Sequence, residues 1–225
     1  MADPIHPQSQ QLLSLGRSEP LAHGKVRDVF ARPGRPDQLL KTIRRTKMQA
    51  YRARRGIVAW VKRRTGLGPY RFLLKEYRCY LRVAHRADRL DRAIPIAEFG
   101  AVIRTDRGLA QVSERIAGRD GDLAPTLRLR MRAGPLTATE LARLNAFVAD
   151  MYDLHVVAPD LNAGNVVIDA SGRFLLVDGY GEKAAIPLRT WIRWLNDRML
   201  DRSFAAMHRD CVLSWDAAAR RFAAQ

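Results

Sequence analysis

Val157-Ala-Pro-Asp-Leu-Asn-Ala-Gly-Asn-Val-Val-Ile168 is the stretch on which the reading of this chain turns. It sets Asp160 and Asn165, five positions apart, in a polar loop between apolar runs. Thirteen residues after Asn165, Asp178 follows the run Phe174-Leu-Leu-Val177 and precedes Gly179-Tyr-Gly181. Short apolar runs bounded by Asn, Asp and Gly read as strands, here Val156–Ala158, Val166–Ile168 and Phe174–Val177, with the polar residues at their connections. An Asp in such a loop is ordinarily a turn former. Two Asp and an Asn at these intervals also supply carboxylate and amide oxygens, the donors that magnesium takes.

Working toward the N-terminus, Leu21 to Ile43 reads as strand, turn, strand, turn, strand, with a turn cluster at 32–37. Lys41 lies within the last strand, Leu39-Leu-Lys-Thr-Ile43. Residues 71–90 carry a helical stripe of Phe72, Leu73, Tyr77, Tyr80, Leu81 and Ala84, and Glu76 sits on that helix. Residues 94–116 read as antiparallel strands about a turn at 104–108. Thr137, with Glu140 three residues later, signals the start of a helix over 138–152. Ile186–Leu200 and Cys211–Ala224 read as helices. The order predicts an α+β protein of two lobes: a flexible arm over 1–17, an N-terminal lobe over 18–116 with a basic insertion at 44–69, and a reduced helical C-terminal lobe over 117–225.

Composition narrows the setting. With 225 residues and 47% hydrophobic content the chain can bury a core. It has no apolar run long enough to span a bilayer, and its N-terminus lacks the pattern of a signal peptide. Its two cysteines, Cys79 and Cys211, stand apart from any Cys/His cluster, which argues against zinc or a disulfide framework. A reducing, cytoplasmic compartment is the expectation. The net charge of +16 favours polyanions as partners. Residues 44–69, the most basic stretch, are either a solvated helix or a face for nucleic acid or anionic lipid. His155 reads as structural, and Trp191 with Trp194 as packing residues at helical spacing.

Phosphoryl transfer needs a cation on the phosphates, an acid to hold that cation, oxygens for magnesium and a carboxylate that orients the attacking hydroxyl. At these residues the chain resembles protein kinases. Asp160-Leu-Asn-Ala-Gly-Asn165 is similar to the D-L-x-x-x-N part of the catalytic loop, and Asp178 to the Asp of D-F-G. The resemblance implies a protein-kinase-like two-lobed fold with ATP and Mg2+ as cofactors. It implies Asp160 and Lys41 as catalytic residues, and Asn165 and Asp178 as metal ligands. Gly24, Lys41, Glu76, Glu114 and Ile116 would bind the cofactor, Glu76 as the partner of Lys41 and 111–116 as the hinge.

The departures matter as well. Ala158 and Pro159 replace the usual His and Arg, and Ala22 and Arg27 stand where the loop's first and third glycines would be. Few residues follow Asp178, which favours a small-molecule or glycolipid acceptor over a protein. More closely, the chain resembles the bacterial PhoP-regulatory-network family of YrbL type, on Pro20–Val29, Lys75–Tyr80, Ser113–Gly118 and Leu161–Leu188. That implies, as the alternative to a phosphotransferase, a non-catalytic kinase-like regulator with a protein partner in a stress-response network.

Overall fold

The computed structural model describes residues 12–16, 18–53, 55–56, 67–184, 186–210 and 213–224. The chain is α+β and forms two compact units, Met1–Arg71 with Phe99–Arg115, and Phe72–Glu98 with Ile116–Gln225. Among the described residues, no helix is long and apolar enough to cross a membrane.

The first unit is an antiparallel sheet of β1 (Ala22–His23), β2 (Arg27–Arg32), β3 (Arg35–Ile43), β4 (Phe99–Thr105) and β5 (Gly108–Glu114), in the order β1-β2-β3-β5-β4. Alternation along the strands makes two different faces. Phe30, Leu40 and Val112 share one cross-strand row and form a small core with Ala110 and Leu15. The next row, Val29, Lys41, Gln111 and Val102, points the other way. Pro36 is tolerated in β3 because pairing with β5 begins only at Gln38.

Residues 12–16, expected within a loose arm, are instead fixed to the sheet. Leu13 bridges Thr105, Leu15 is buried, and Asp106 accepts the backbone N–H groups of Leu15 and Gly16 at 2.9 and 3.0 Å. The rest of that arm lies outside the described residues. Of the basic stretch 44–69, Arg45–Ala53 forms a helix, α1, with no buried residue, and 57–66 lie outside the described residues.

The second unit holds α2 (Arg71–Leu90, all but its first residue), α3 (Leu127–Arg132), α4 (Ala138–Asp153), α5 (Leu188–Trp191) and α6 (Arg193–Asp210). It also holds the hairpins β6 (Val166–Ile168) with β7 (Phe174–Leu176) and β8 (Leu213–Asp216) with β9 (Arg221–Ala224). Helix α2, expected with the N-terminal lobe, thus belongs to the C-terminal unit. Its buried stripe is Leu73, Glu76, Cys79, Val83 and Ala87. Tyr77 and Leu81, expected in that stripe, are exposed. Cys79, Val83 and Ala87 join a core with Leu144, Phe147, Val148 and Met151 of α4.

Two expected elements differ. Val156–Ala158 is a buried run but not a strand. The expected helix at 211–224 is a hairpin over its described residues, although Ala217-Ala-Ala219 favours helix. Asp216 accepts the N–H groups of Ala218 and Ala219 and turns the chain there. Trp215 and Phe222 then pack on Phe204, with centroids 5.2 and 5.9 Å away. Burial of three aromatic rings outweighs a local preference of a few tenths of a kcal/mol per residue.

The cap of α4 is as the sequence signals. Thr137 Oγ1 accepts the N–H of Glu140, and the Glu140 carboxylate accepts the N–H of Thr137 at 2.9 Å. Arg130 grips the same carboxylate through Nε at 2.8 Å and a second nitrogen at 2.7 Å. Arg130 foremost, then Thr137, hold the Glu140 carboxyl down from 4.5 to about 2. The lowered value means that the stabilisation is complete above the ordinary carboxyl range and is lost as pH falls toward 2. Glu140→Gln should therefore cost about 1–2 kcal/mol at neutral pH, discounted for solvent at the rim. The gap from wild type should close between about pH 5 and 2 in denaturant melts. A gap independent of pH would contradict this account.

Candidate functional site

The loop 158–165 is tied by its own side chains. Asn162 and Asn165 both donate through Nδ2 to the backbone carbonyl of Asp160, at 2.8 and 2.9 Å. Asn162 Oδ1 accepts the N–H of Gly164 at 2.9 Å. The carbonyl of Asn165 accepts the N–H of Val177, which joins the loop to the end of β7. The Asp160 N–H donates to the carbonyl of Gly179 at 3.2 Å. Asp160, Asn165 and Asp178, predicted as one constellation, are therefore brought together in the second unit.

Gly179 is the hinge of this cluster. Its φ is +83°, and a Cβ there would sit 2.7 Å from the Asp160 carbonyl oxygen and 2.9 Å from Asn165 Nδ2. Its N–H donates to Asp178 Oδ1 at 2.6 Å, which fixes the carboxylate. Gly181, with φ +91°, closes on α2: a Cβ there would meet the Glu76 nitrogen and the Lys75 carbonyl at 3.1 Å each. The Gly181 N–H donates to Val157 O at 2.7 Å. The short turn that carries Asp178 thus packs, at Gly181, against the backbone of α2 at Lys75 and Glu76.

Glu76 itself is only 7% exposed, unlike a solvated helix glutamate. The Asp160 side chain, by contrast, is 59% exposed, with Lys183 Nζ at 3.3 Å from its Oδ2. Asn165 uses its Nδ2 on the loop, so its Oδ1 remains as an acceptor. With the Asp178 carboxylate that makes two oxygen donors of the kind magnesium takes, short of a full shell, which water and phosphate ordinarily complete. Among the described residues no three His, Cys, Asp or Glu side chains gather as a metal site.

Of the other predicted residues, Lys41, Gly24 and Glu114 belong to the first unit and Ile116 to the second. Lys41 is 8% exposed, on the sheet face where Arg27 donates to Gln111 Oε1 at 3.1 Å. Gly24 lies in the exposed β1–β2 turn, where its N–H donates to the Arg27 carbonyl at 2.8 Å. Glu114 ends β5 and is exposed. Ile116, in the second unit, is buried with Ala124, Val167 and Leu175, and its carbonyl accepts the N–H of Ala124. His155 is structural: its Nε2 lies 2.7 Å from Arg189 O, and burial lowers its pKa.

Asn162 and Lys183 were missed. The signal for Asn162 was its place two residues after Asp160, the ordinary reach of an Asx turn. Lys183 carried no signal beyond following Gly181 and Glu182.

The family model described as PhoP regulatory network protein YrbL matches residues 13–212. No curated protein matches the chain.

Gly179→Ala should destabilise the second unit by about 2–4 kcal/mol, because it combines a left-handed backbone with contacts to backbone and amide atoms. Gly121→Ala, also in the second unit, where φ is +80° but no atom lies within 4 Å, is the control for backbone strain alone. Equal losses for the two in denaturant unfolding would refute the close-contact explanation.

Proposed function

This chain belongs to the PhoP regulatory network protein YrbL family, and we propose that it is a kinase-like protein of two lobes that binds ATP with magnesium and transfers phosphoryl to a small-molecule or glycolipid hydroxyl in the cytoplasm. The observation that carries this reading is the cluster of Asp160, Asn165 and Asp178 around Gly179. Asp178 and Asn165 Oδ1 would hold magnesium, which supplies charge neutralisation at the β- and γ-phosphates. The exposed Asp160 carboxylate accepts the hydrogen of the acceptor hydroxyl and aims its oxygen. Lys183 beside it offsets negative charge as phosphate approaches.

Lys41 of the first unit is assigned to the α- and β-phosphates, with Glu76 as its acidic partner. Burial on a strand restricts the lysine to few rotamers, as a phosphate-positioning cation requires. Gly24 admits phosphate close to its backbone, and Glu114 with Ile116 is assigned to the adenine side. Because the Ile116 carbonyl is engaged by Ala124, only its N–H is assigned to the nucleotide.

A second reading, a non-catalytic regulator with a protein partner, is favoured by one feature. Arg27, at a glycine position of the kinase loop, is buried and bonded to Gln111 rather than turned outward. The bond commits one of its nitrogens, and the loop lacks the glycine that would let phosphate approach its backbone. The family's description as a regulatory network protein suits either reading.

Thermal shift with Mg-ATP separates them. A ligand at about 100 times its Kd adds about 2.7 kcal/mol of stability, several degrees in Tm for a chain of this size. Asp178→Asn should abolish the magnesium-dependent part of the shift. Asp160→Asn should keep it and lose ATP turnover at least a hundredfold. No shift for the wild type would refute the phosphotransferase reading and leave the regulator, which acts with or without nucleotide. A shift without turnover across hydroxyl acceptors would favour the regulator.

A further inference from the structure

The segment after Gly181 leaves large apolar side chains in water. Ile186, Trp191 and Trp194 are 62%, 67% and 61% exposed, and Leu188 is nearly half exposed. The sequence reading had the two tryptophans packed inside. Instead the chain breaks at Ile192, whose φ of −109° and ψ of 104° separate α5 from α6. That break leaves both rings outside. Isolated apolar residues at a surface are ordinary, but Ile186, Leu188 and Trp194 meet along one groove as a patch that calls for a partner, with Trp191 exposed three residues before Trp194.

The patch borders a groove of about 770 Å³, lined by Leu161, Ile186, Leu188, Trp194, Leu195 and Met199 among others. Its charge is one-signed on the outside. Trp194, Arg198 and Arg202 follow one another at a spacing of four along α6, all exposed. Neither arginine has an acidic partner among the described residues. Asp197 and Asp201 of α6 face elsewhere: Asp197 bonds Arg220 at 3.2 Å and Asp201 takes the Tyr152 hydroxyl at 2.6 Å. Glu182, in the groove wall, is buried and held by Arg189 at 3.3 Å, so it does not present an acid to the outside.

We propose that this face of α5 and α6 docks on an anionic lipid bilayer surface. Tryptophans settle at the level of the headgroups, where a polar edge and an apolar ring are both satisfied. Arg198 and Arg202 pair with lipid phosphates, and Ile186 and Leu188 reach the acyl boundary. Nucleic acid suits the arginines and the rings, but gives nothing to Ile186 and Leu188, which have no π face to stack. The site is separate from α1, the basic helix that the sequence singled out, and does not depend on the phosphotransferase reading.

The test is co-sedimentation of the full chain with phosphatidylcholine vesicles, with and without about 30% phosphatidylglycerol, at physiological salt. The wild type should sediment with the anionic vesicles alone. Trp191→Ala with Trp194→Ala, and separately Arg198→Glu with Arg202→Glu, should each weaken binding about tenfold or more. Their Tm should be unchanged, because these side chains are exposed. Arg45→Glu with Lys47→Glu, on α1, should bind as the wild type does. Absence of vesicle binding, a tryptophan pair that sediments like the wild type, or a loss confined to the α1 pair would each overturn the proposal. So would retention on duplex DNA with none on vesicles.

Discussion

The carbonyl oxygen of Asp160 is the atom on which the candidate site depends. It accepts two side-chain amides, from Asn162 and Asn165, while Gly179 passes so close that no side chain fits between. Each neutral hydrogen bond contributes only about 1 kcal/mol net. The conformation of Gly179 would cost any other residue about 1–2 kcal/mol. Together they fix Asp160, Asn165 and Asp178, which all lie within residues 160–178. The backbone carbonyl takes up the two amide nitrogens, and the Asp160 side chain remains 59% exposed beside Lys183.

The strength of the ion pairs divides along the same line. Arg130 and Glu140 make a paired, two-point contact beneath a helix cap, and the carboxyl titrates far below its usual range. Lys183 and Asp160 meet once, at 3.3 Å, with both side chains about three-fifths exposed. Such a pair is worth no more than about 1 kcal/mol and is screened by salt. The first holds a helix in place. The second can open at little cost, as a single exposed contact does.

Most of this site was legible in the sequence because local chemistry and local structure agreed. The Asp160 to Asn165 spacing, the flanking apolar runs and the Thr137–Glu140 cap are short-range signals. The structure keeps β6, β7 and the cap where the sequence put them. What was not legible depended on distant partners. Ala217-Ala-Ala219 favours a helix until Phe204 supplies a surface for Trp215 and Phe222. The stripe of α2 was drawn through the bulkiest residues, yet the buried line runs through Glu76 and Cys79. A glutamate is counted as polar by any periodicity argument, so only its surroundings reveal that it points inward. The break at Ile192, which exposes both tryptophans, had no proline or glycine to announce it.

Arginine explains why net charge alone does not say which groups would meet an anion. A guanidinium carries five N–H donors in a planar fork, and this chain uses many of them on its own backbone. Arg86 donates to Leu154 O, Arg193 to Tyr152 O, Arg107 to the carbonyls of Gly16 and Ser18, and Arg44 to Gly24 O. Carbonyl oxygens satisfy the hydrogen bonds of these groups without cancelling their charge, so the protein stays strongly basic while its arginines act as struts. A strut cannot also swing out to meet a phosphate. The groups free to recognise an anion are the outward ones with no such duty, and Arg198 and Arg202 meet that condition next to an exposed tryptophan. Within the roughly 8 Å over which charge acts at physiological salt, that local pairing of unengaged cations with an uncovered apolar surface matters more than the total of +16.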